Sequence, residues 1–98
     1  MTLTDAQRRA LLVIYQCPDR RGIGAREFAQ RRWIDHLDPD RQFYMSTPRR
    51  SGYNRKAGAF LEALHRKGLV DRDWPLYGFQ FYYRVSTAGL AALAEEAA

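Results

Sequence analysis

The chain has 98 residues and carries 16 lysines and arginines against 11 acidic residues, a net charge of +5. This length, with 46% apolar residues, allows one domain with one modest core. The longest apolar run, Ala10 to Tyr15, is too short to span a membrane, and Met1–Asp5 lacks the features of a signal peptide. Cys17 is the only cysteine, which excludes an internal disulfide and fits a reducing compartment. We therefore expect a cytoplasmic protein.

The positive charge is concentrated in the middle of the chain. Residues 20–32 carry five arginines against one glutamate, and residues 41–67 carry seven lysines and arginines against one glutamate. Residues 33–40 and 68–98 are net acidic. This asymmetry favours a polyanionic partner, and the alternative is that the arginines only keep a small protein soluble.

The first helix has a clear start signal in the sequence. Thr4 is a predicted N-cap, and Gln7 can complete a capping box three residues later. Leu11 and Ile14 then form an apolar stripe at helical spacing, which ends before Pro18. The sequence therefore predicts a helix that buries one face.

A second helix is predicted from Ala25 to Trp33, with Phe28, Ala29 and Trp33 on one side, and Ile23 before it could make a short strand contact. Residues 34–52 contain prolines and small polar residues that break any regular pattern, although Phe43–Met45 could pack as a short element. We expect a long insert here, and connections of this length are usually functional or mobile.

The third helix has the clearest periodicity. Its predicted core stripe is Ala57, Phe60, Leu61 and Leu64. Gly68 stands where a left-handed C-terminal cap belongs, so that Leu69 would contact Leu64. The opposite face carries Arg55, Ala59, Glu62 and Arg66, flanked by Lys56 and Ala63. The helix is therefore basic and amphipathic, with small residues that permit close approach to a groove.

An antiparallel hairpin is predicted from residues 69–73 and 79–86. Alternation in the second strand points Phe79, Phe81, Tyr83 and Val85 toward the core. Thr87 is the predicted cap of a last helix, whose apolar side contains Leu90 and Leu93.

The segments Lys67-Gly68-Leu69-Val70 and Tyr83-Arg84-Val85-Ser86-Thr87-Ala88-Gly89 follow two helices and a basic helix in an order that resembles the winged helix-turn-helix superfamily. The resemblance covers residues 3–33 and 53–93. It implies an α+β fold with a three-helix core, a two-stranded wing at 69–86 and a C-terminal helix. The long insert at 34–52 departs from the family pattern, and residues 1–98 would form one domain.

The resemblance also implies that the third helix enters the major groove of duplex DNA, as in a bacterial or phage-type transcriptional regulator. Arg49 and Arg50 would meet phosphates near the start of that helix. The DNA contacts expected are Arg26, Arg31, Arg49, Arg50, Asn54, Arg55, Lys56, Ala59 and Arg66. A homodimer, formed through the last helix or the hairpin, stays open as an alternative.

The wing favours a second hypothesis. DNA-binding wings are usually basic, whereas residues 71–83 contain one arginine, two aspartates and six aromatic residues. An exposed cluster of Trp74, Leu76, Tyr77 and Tyr82 would be typical of a protein interface. The protein would then be a phage-encoded inhibitor of a host nucleic-acid machine, of the anti-CRISPR kind. Alternatively, these side chains cover the insert, with Trp74 over Phe43 and Tyr44.

No catalytic or metal-binding motif is found in the sequence. Residues 35–40 gather three aspartates and a histidine, but glycine and glutamate are missing from the positions that a calcium loop requires. His36, His65 and Cys17 have no zinc-ligand spacing. There is no glycine-rich phosphate loop, carboxylate pair or Ser-His-Asp set. We therefore expect a protein without enzymatic activity, metal or cofactor.

Overall fold

The computed structural model describes residues 2–18, 21–45, 52–74 and 80–97. This part of the chain forms a small α+β fold of five α-helices, one 3-10 helix and a two-stranded antiparallel sheet. The elements in chain order are α1 (Asp5–Tyr15), α2 (Ala25–Arg32), the 3-10 helix (Ile34–His36), α3 (Pro39–Met45), α4 (Tyr53–Arg66), β1 (Val70–Asp73), β2 (Tyr82–Val85) and α5 (Thr87–Ala97). Among these described residues, no helix is both long and apolar enough to cross a membrane.

The predicted start of α1 is confirmed. The Thr4 side chain accepts a hydrogen bond from the backbone N–H of Gln7, and the Gln7 side chain accepts one from the backbone N–H of Thr4. This reciprocal pair satisfies two of the N–H groups that a helix start leaves without partners. Leu11 and Ile14 are buried, as the apolar stripe predicted.

The predicted C-terminal cap of α4 is also confirmed. Gly68 has a φ of 76°, the left-handed conformation that side chains with a Cβ disfavour. Its N–H donates to the carbonyl of His65 at 2.9 Å, and the N–H of Leu69 donates to the carbonyl of Leu64 at 3.1 Å. These two bonds form a Schellman motif, which directs the chain from α4 straight into β1.

The insert is more regular than the sequence suggested. The expectation that residues 34–52 break any regular pattern is wrong for the 3-10 helix and for α3, the latter including the backbone of residues 43–45. Asp38 caps α3, because its carboxylate accepts from the N–H of Arg41 at 3.1 Å, and Pro39 occupies the first helical position. Proline is favoured there, since that position needs no N–H donor. Residues 46–51 lie outside the described part.

The sheet pairs Val70 with Val85 and Arg72 with Tyr83. Ile23 adds the predicted short strand contact, because it exchanges two backbone hydrogen bonds of 2.9 Å with Tyr83. The segment between α1 and α2 is thereby attached to the hairpin. β1 begins one residue later than predicted and ends at Asp73 as predicted, and β2 covers only Tyr82–Val85 of the predicted second strand. Residues 75–79 lie outside the described part.

Ser86, and not Thr87 as predicted, caps α5. The Ser86 hydroxyl oxygen accepts from the N–H of Gly89 at 3.0 Å and donates to the carbonyl of Gly68 at 2.6 Å. Through these two hydrogen bonds, the buried Ser86 hydroxyl joins the end of α4 to the start of α5. Leu90 is 43% exposed, so its predicted place on the apolar side is also wrong, and Ala92 is buried instead.

The core lies where α1, α2 and α4 meet the inner face of the hairpin. Its members are Leu3, Ala10, Leu11, Ile14, Ile23, Phe28, Ala29, Ala57, Leu61, Leu64, Leu69, Val70, Tyr83 and Ala92. Phe28 of α2 is fully buried and stacks on Phe60 of α4, with ring centroids 6.3 Å apart. Because α4 is packed on α2 and capped into β1, the direction of its outer face is fixed by the core.

Candidate nucleic-acid interface

The outer face of α4 is the basic surface that the sequence predicted. Ala57, Leu61 and Leu64 are buried on the inner side. Arg55, Ala59 and Arg66 are exposed on the other side, separated from the core stripe by about half a turn. The alanine between the two arginines leaves room for a ligand to approach the helix backbone closely.

The charge of this face is not neutralised from within the described part of the chain. Arg55 and Arg66 form no ion pair with any residue that the structure describes, and the first turn of α4 has no acidic residue. The single acidic residue of α4 is Glu62, whose carboxylate accepts from the guanidinium of Arg72 on β1 at 2.6 Å. The negative charge of Glu62 on this face is therefore paired with a cation from the hairpin.

Lys56 lies on the flank of this face, against an aromatic cluster. Its Nζ is 4.7 Å from the centroid of the Trp33 ring, and the Trp33 ring stacks on Tyr53 at 5.8 Å. Arg32 lies over the same indole, with its guanidinium carbon 5.8 Å from the centroid. The quadrupole of an indole ring attracts a cation that lies over its face, and this attraction contributes about 0.5–1 kcal/mol at exposed sites. The first turn of α4 is therefore bordered by two positioned cations.

The remaining predicted DNA contacts are placed less uniformly. Arg26 is exposed on α2, whereas Arg31 forms an ion pair of 3.0 Å with Glu27 one turn earlier. Asn54 is half-buried at the edge of α4. The predicted contacts Arg49 and Arg50 lie outside the described residues. The structure thus brings Arg55, Lys56, Ala59 and Arg66 together on α4.

Sequence reasoning missed two cations beside this face, Arg32 and Arg72. Arg32 is the last residue of α2, and its position over the Trp33 ring depends on how the chain leaves that helix. Arg72 stands between two aspartates, which hid its role. The available signal was its even spacing from the buried Val70, since alternate residues of a strand share a face.

The hairpin exposes part of the aromatic surface that the alternative hypothesis required. Trp74 is 51% exposed and Phe81 is 37% exposed, so the prediction that Phe81 belongs to the core is wrong. Tyr82 is half-buried, and the guanidinium carbon of Arg21 is 5.5 Å from its ring centroid. Trp74 contacts Phe81 edge to face at 4.9 Å. The predicted interface residues Leu76 and Tyr77, and the Phe43 and Tyr44 side chains, lie outside the described part.

Tyr83 connects the core to the Glu62–Arg72 pair. Burial raises the pKa of the Tyr83 hydroxyl above its ordinary value of 10.0, and the negative charge of Glu62 raises it further. The charge of Arg72 and its hydrogen bond to the hydroxyl act in the opposite direction. The neutral phenol is therefore the stable form at physiological pH.

The acidic segment before α3 has a structural role in what the structure describes. Asp38 caps α3, and the carbonyls of Asp35 and Leu37 accept from the side-chain amide of Gln42. Within residues 2–18, 21–45, 52–74 and 80–97, no three His, Cys, Asp or Glu side chains are grouped as metal ligands would be.

Comparison of the chain with protein-family models, with curated proteins and with solved structures gives no match. The functional interpretation therefore depends on the geometry of the α4 face and the hairpin.

Proposed function

We propose that this protein binds duplex DNA through the outer face of α4, in the manner of a winged-helix transcriptional regulator. The observation that carries the proposal is that the positive charge of this face is not neutralised by the described part of the chain. Arg55 and Arg66 are exposed without an ion pair in the described part of the chain, while the only acidic residue of α4 is neutralised by Arg72. Such a surface attracts the phosphate backbone by releasing its counterions.

The shape of α4 supports the same proposal. An α-helix fits the major groove, where cationic side chains can reach both phosphates and base edges. Ala59 leaves the helix surface low between Arg55 and Arg66, so base edges could approach the backbone. The first turn contributes the positive end of the helix dipole, and no acidic side chain opposes a phosphate there.

The order of helices and strands also supports the winged-helix interpretation. The chain runs from α1 through Ile23 and α2 to α4, then through the hairpin to α5, and Ile23 pairs with the second hairpin strand. The ion pair between Glu62 and Arg72 holds the hairpin beside α4. A wing in this position would lie next to a duplex that is bound on α4.

The test is fluorescence anisotropy with a labelled random duplex, titrated at low and at physiological salt. We expect binding at about micromolar affinity that weakens steeply with salt. Replacing Arg55 and Arg66 together by alanine should reduce the slope of log K against log salt by about 1.8, since each lost phosphate contact contributes about 0.9.

The matched control replaces Arg8 and Arg9 of α1 by alanine. This pair removes the same positive charge, but both side chains form ion pairs with Asp5. The control should bind DNA nearly as the wild type does. Equal losses in both double variants would mean that only the net charge attracts DNA, and the proposed role of α4 would be wrong.

A second candidate function is docking onto a protein, as an inhibitor of a nucleic-acid machine would require. The observation in its favour is the exposure of Trp74 and Phe81 on the hairpin. Under this candidate, Trp74→Ala abolishes activity and the α4 double variant retains it. The unneutralised charge of α4 favours DNA, because a hairpin interface alone does not require it.

A further inference from the structure

The exposed aromatic residues continue the face of the hairpin that packs on the core. Val70 pairs with Val85 and Arg72 pairs with Tyr83, so the next positions on the same face are Trp74 and Phe81. Val70 and Tyr83 are buried, whereas Trp74 is 51% exposed and Phe81 is 37% exposed. The inner face of the hairpin therefore changes from buried at Val70 and Tyr83 to partly exposed at Trp74 and Phe81.

Three planar side chains form this surface, which we call the aromatic platform: Arg72, Trp74 and Phe81. The guanidinium carbon of Arg72 lies 4.3 Å from the Phe81 ring centroid, and the Trp74 and Phe81 rings meet at 76°. The same guanidinium forms the ion pair with Glu62. The platform is therefore connected to α4 at Glu62, which lies one helical turn before Arg66.

The acidic residues of the hairpin belong to its other face. Asp71 and Asp73 alternate with Val70 and Arg72, so they point away from the side that carries the aromatic platform, and both are exposed. The negative charge that argued against nucleic acid at the wing therefore lies opposite the platform. The platform side presents the exposed part of the Trp74 ring, which meets Phe81 edge to face, while the Arg72 guanidinium lies over the Phe81 ring.

We propose that the aromatic platform stacks unpaired nucleobases beside a duplex held on α4, so that the protein prefers duplex DNA with a single-stranded flank. This inference rests on the proposed DNA binding by α4. Flat aromatic side chains next to cations are the chemistry that holds single strands, because every base offers a π-face and the backbone is anionic. The connection of the platform to the basic helix α4, through the ion pair of Arg72 with Glu62, favours a nucleic acid over an apolar protein surface.

Anisotropy with two labelled DNAs tests the inference. One is a blunt duplex, and the other is the same duplex extended by an unpaired thymidine overhang. We expect the wild type to bind the extended duplex roughly 5- to 150-fold more tightly, because one base stacked on an aromatic side chain contributes about 1–3 kcal/mol. Trp74→Ala should remove this preference and leave the affinity for the blunt duplex unchanged, whereas Trp74→Phe should retain most of it.

The results separate the inference from the proposed function. Binding to the blunt duplex without any preference for the overhang overturns the inference and leaves DNA binding by α4 intact, and the platform would then suit a protein partner. A loss in Trp74→Ala that is equal for both DNAs also overturns it, because stacking on unpaired bases would not be the cause. Failure to bind either DNA at low salt overturns both. A melting curve of Trp74→Ala checks that the fold is retained.

Discussion

The same substitution, glycine to alanine, should have opposite effects at two positions of α4. Gly58 lies inside the helix and Gly68 follows its end with a φ of 76°. Apart from the adjacent residues and, at Gly58, the backbone of the helix itself, a Cβ atom built at either position meets no atom within 4 Å. Neither change produces a collision, so the two variants differ only in the backbone conformation that alanine must adopt.

The magnitudes follow from that difference. Alanine is favoured over glycine inside a helix by about 0.5–1 kcal/mol, so Gly58→Ala should stabilise the protein by that amount. The left-handed conformation costs a residue with a Cβ about 1–2 kcal/mol, so Gly68→Ala should destabilise. For a domain of this size, about 1 kcal/mol shifts the melting temperature by roughly 4–8 °C.

Urea unfolding followed by far-ultraviolet circular dichroism measures both changes in the free energy of unfolding. The m-value should stay constant, since neither variant changes the surface exposed on unfolding. Destabilisation by Gly58→Ala at constant m would mean that α4 is not helical at that position. An unchanged or raised stability in Gly68→Ala would mean that the left-handed cap is absent. Either result would refute the description of α4 on which the DNA surface depends.

Three further predictions concern the contacts around α4. Ser86→Ala should lower the free energy of unfolding by about 1–2 kcal/mol, because it removes a buried helix cap. The control Thr87→Ala should change the free energy of unfolding little. Equal effects of the two variants in urea unfolding would contradict the capping role of Ser86. Glu62→Gln should change the free energy of unfolding by less than about 1 kcal/mol, because the ion pair of Glu62 with Arg72 is partly exposed. The same variant should bind duplex DNA more tightly in anisotropy, because it removes the only negative charge of α4. Weaker binding would show that Glu62 itself contacts DNA. Since the folded state holds the Tyr83 proton more tightly than the unfolded state, the contribution of this group is complete below pH 10 and is lost as pH rises through the folded-state pKa. The urea midpoint should therefore fall less steeply above pH 10 in Tyr83→Phe than in the wild type, and identical slopes would contradict the raised pKa.

Local signals explain the parts of the fold that the sequence predicts correctly. The capping box of Thr4 and Gln7 and the Schellman motif at Gly68 both involve residues within a few positions of each other. The apolar stripe of α4 likewise identifies its outer face without knowledge of its neighbours. The basic residues Arg55 and Arg66 could therefore be assigned to one exposed surface from spacing alone.

The missed features depend on contacts between distant segments. Alternation correctly places Phe81 on the same face as Tyr83, but it cannot show that burial ends at Tyr83 and that Phe81 is partly exposed. The ion pair between Glu62 and Arg72 joins α4 to β1, and its existence depends on how the hairpin packs. The start of α3 at Asp38 and Pro39 has a local signal, but a proline in the sequence is compatible both with a break and with the first turn of a helix.

The most direct test of DNA binding by α4 is an NMR titration of the isotopically labelled protein with duplex DNA. We predict that the largest shifts of backbone amide signals fall on the outer face of α4, at Arg55, Ala59 and Arg66, with smaller shifts at Arg72. Signals from the exposed side of α1, at Arg8 and Arg9, should stay in place. The largest shifts on α1 or α5, with α4 unaffected, would contradict the proposal.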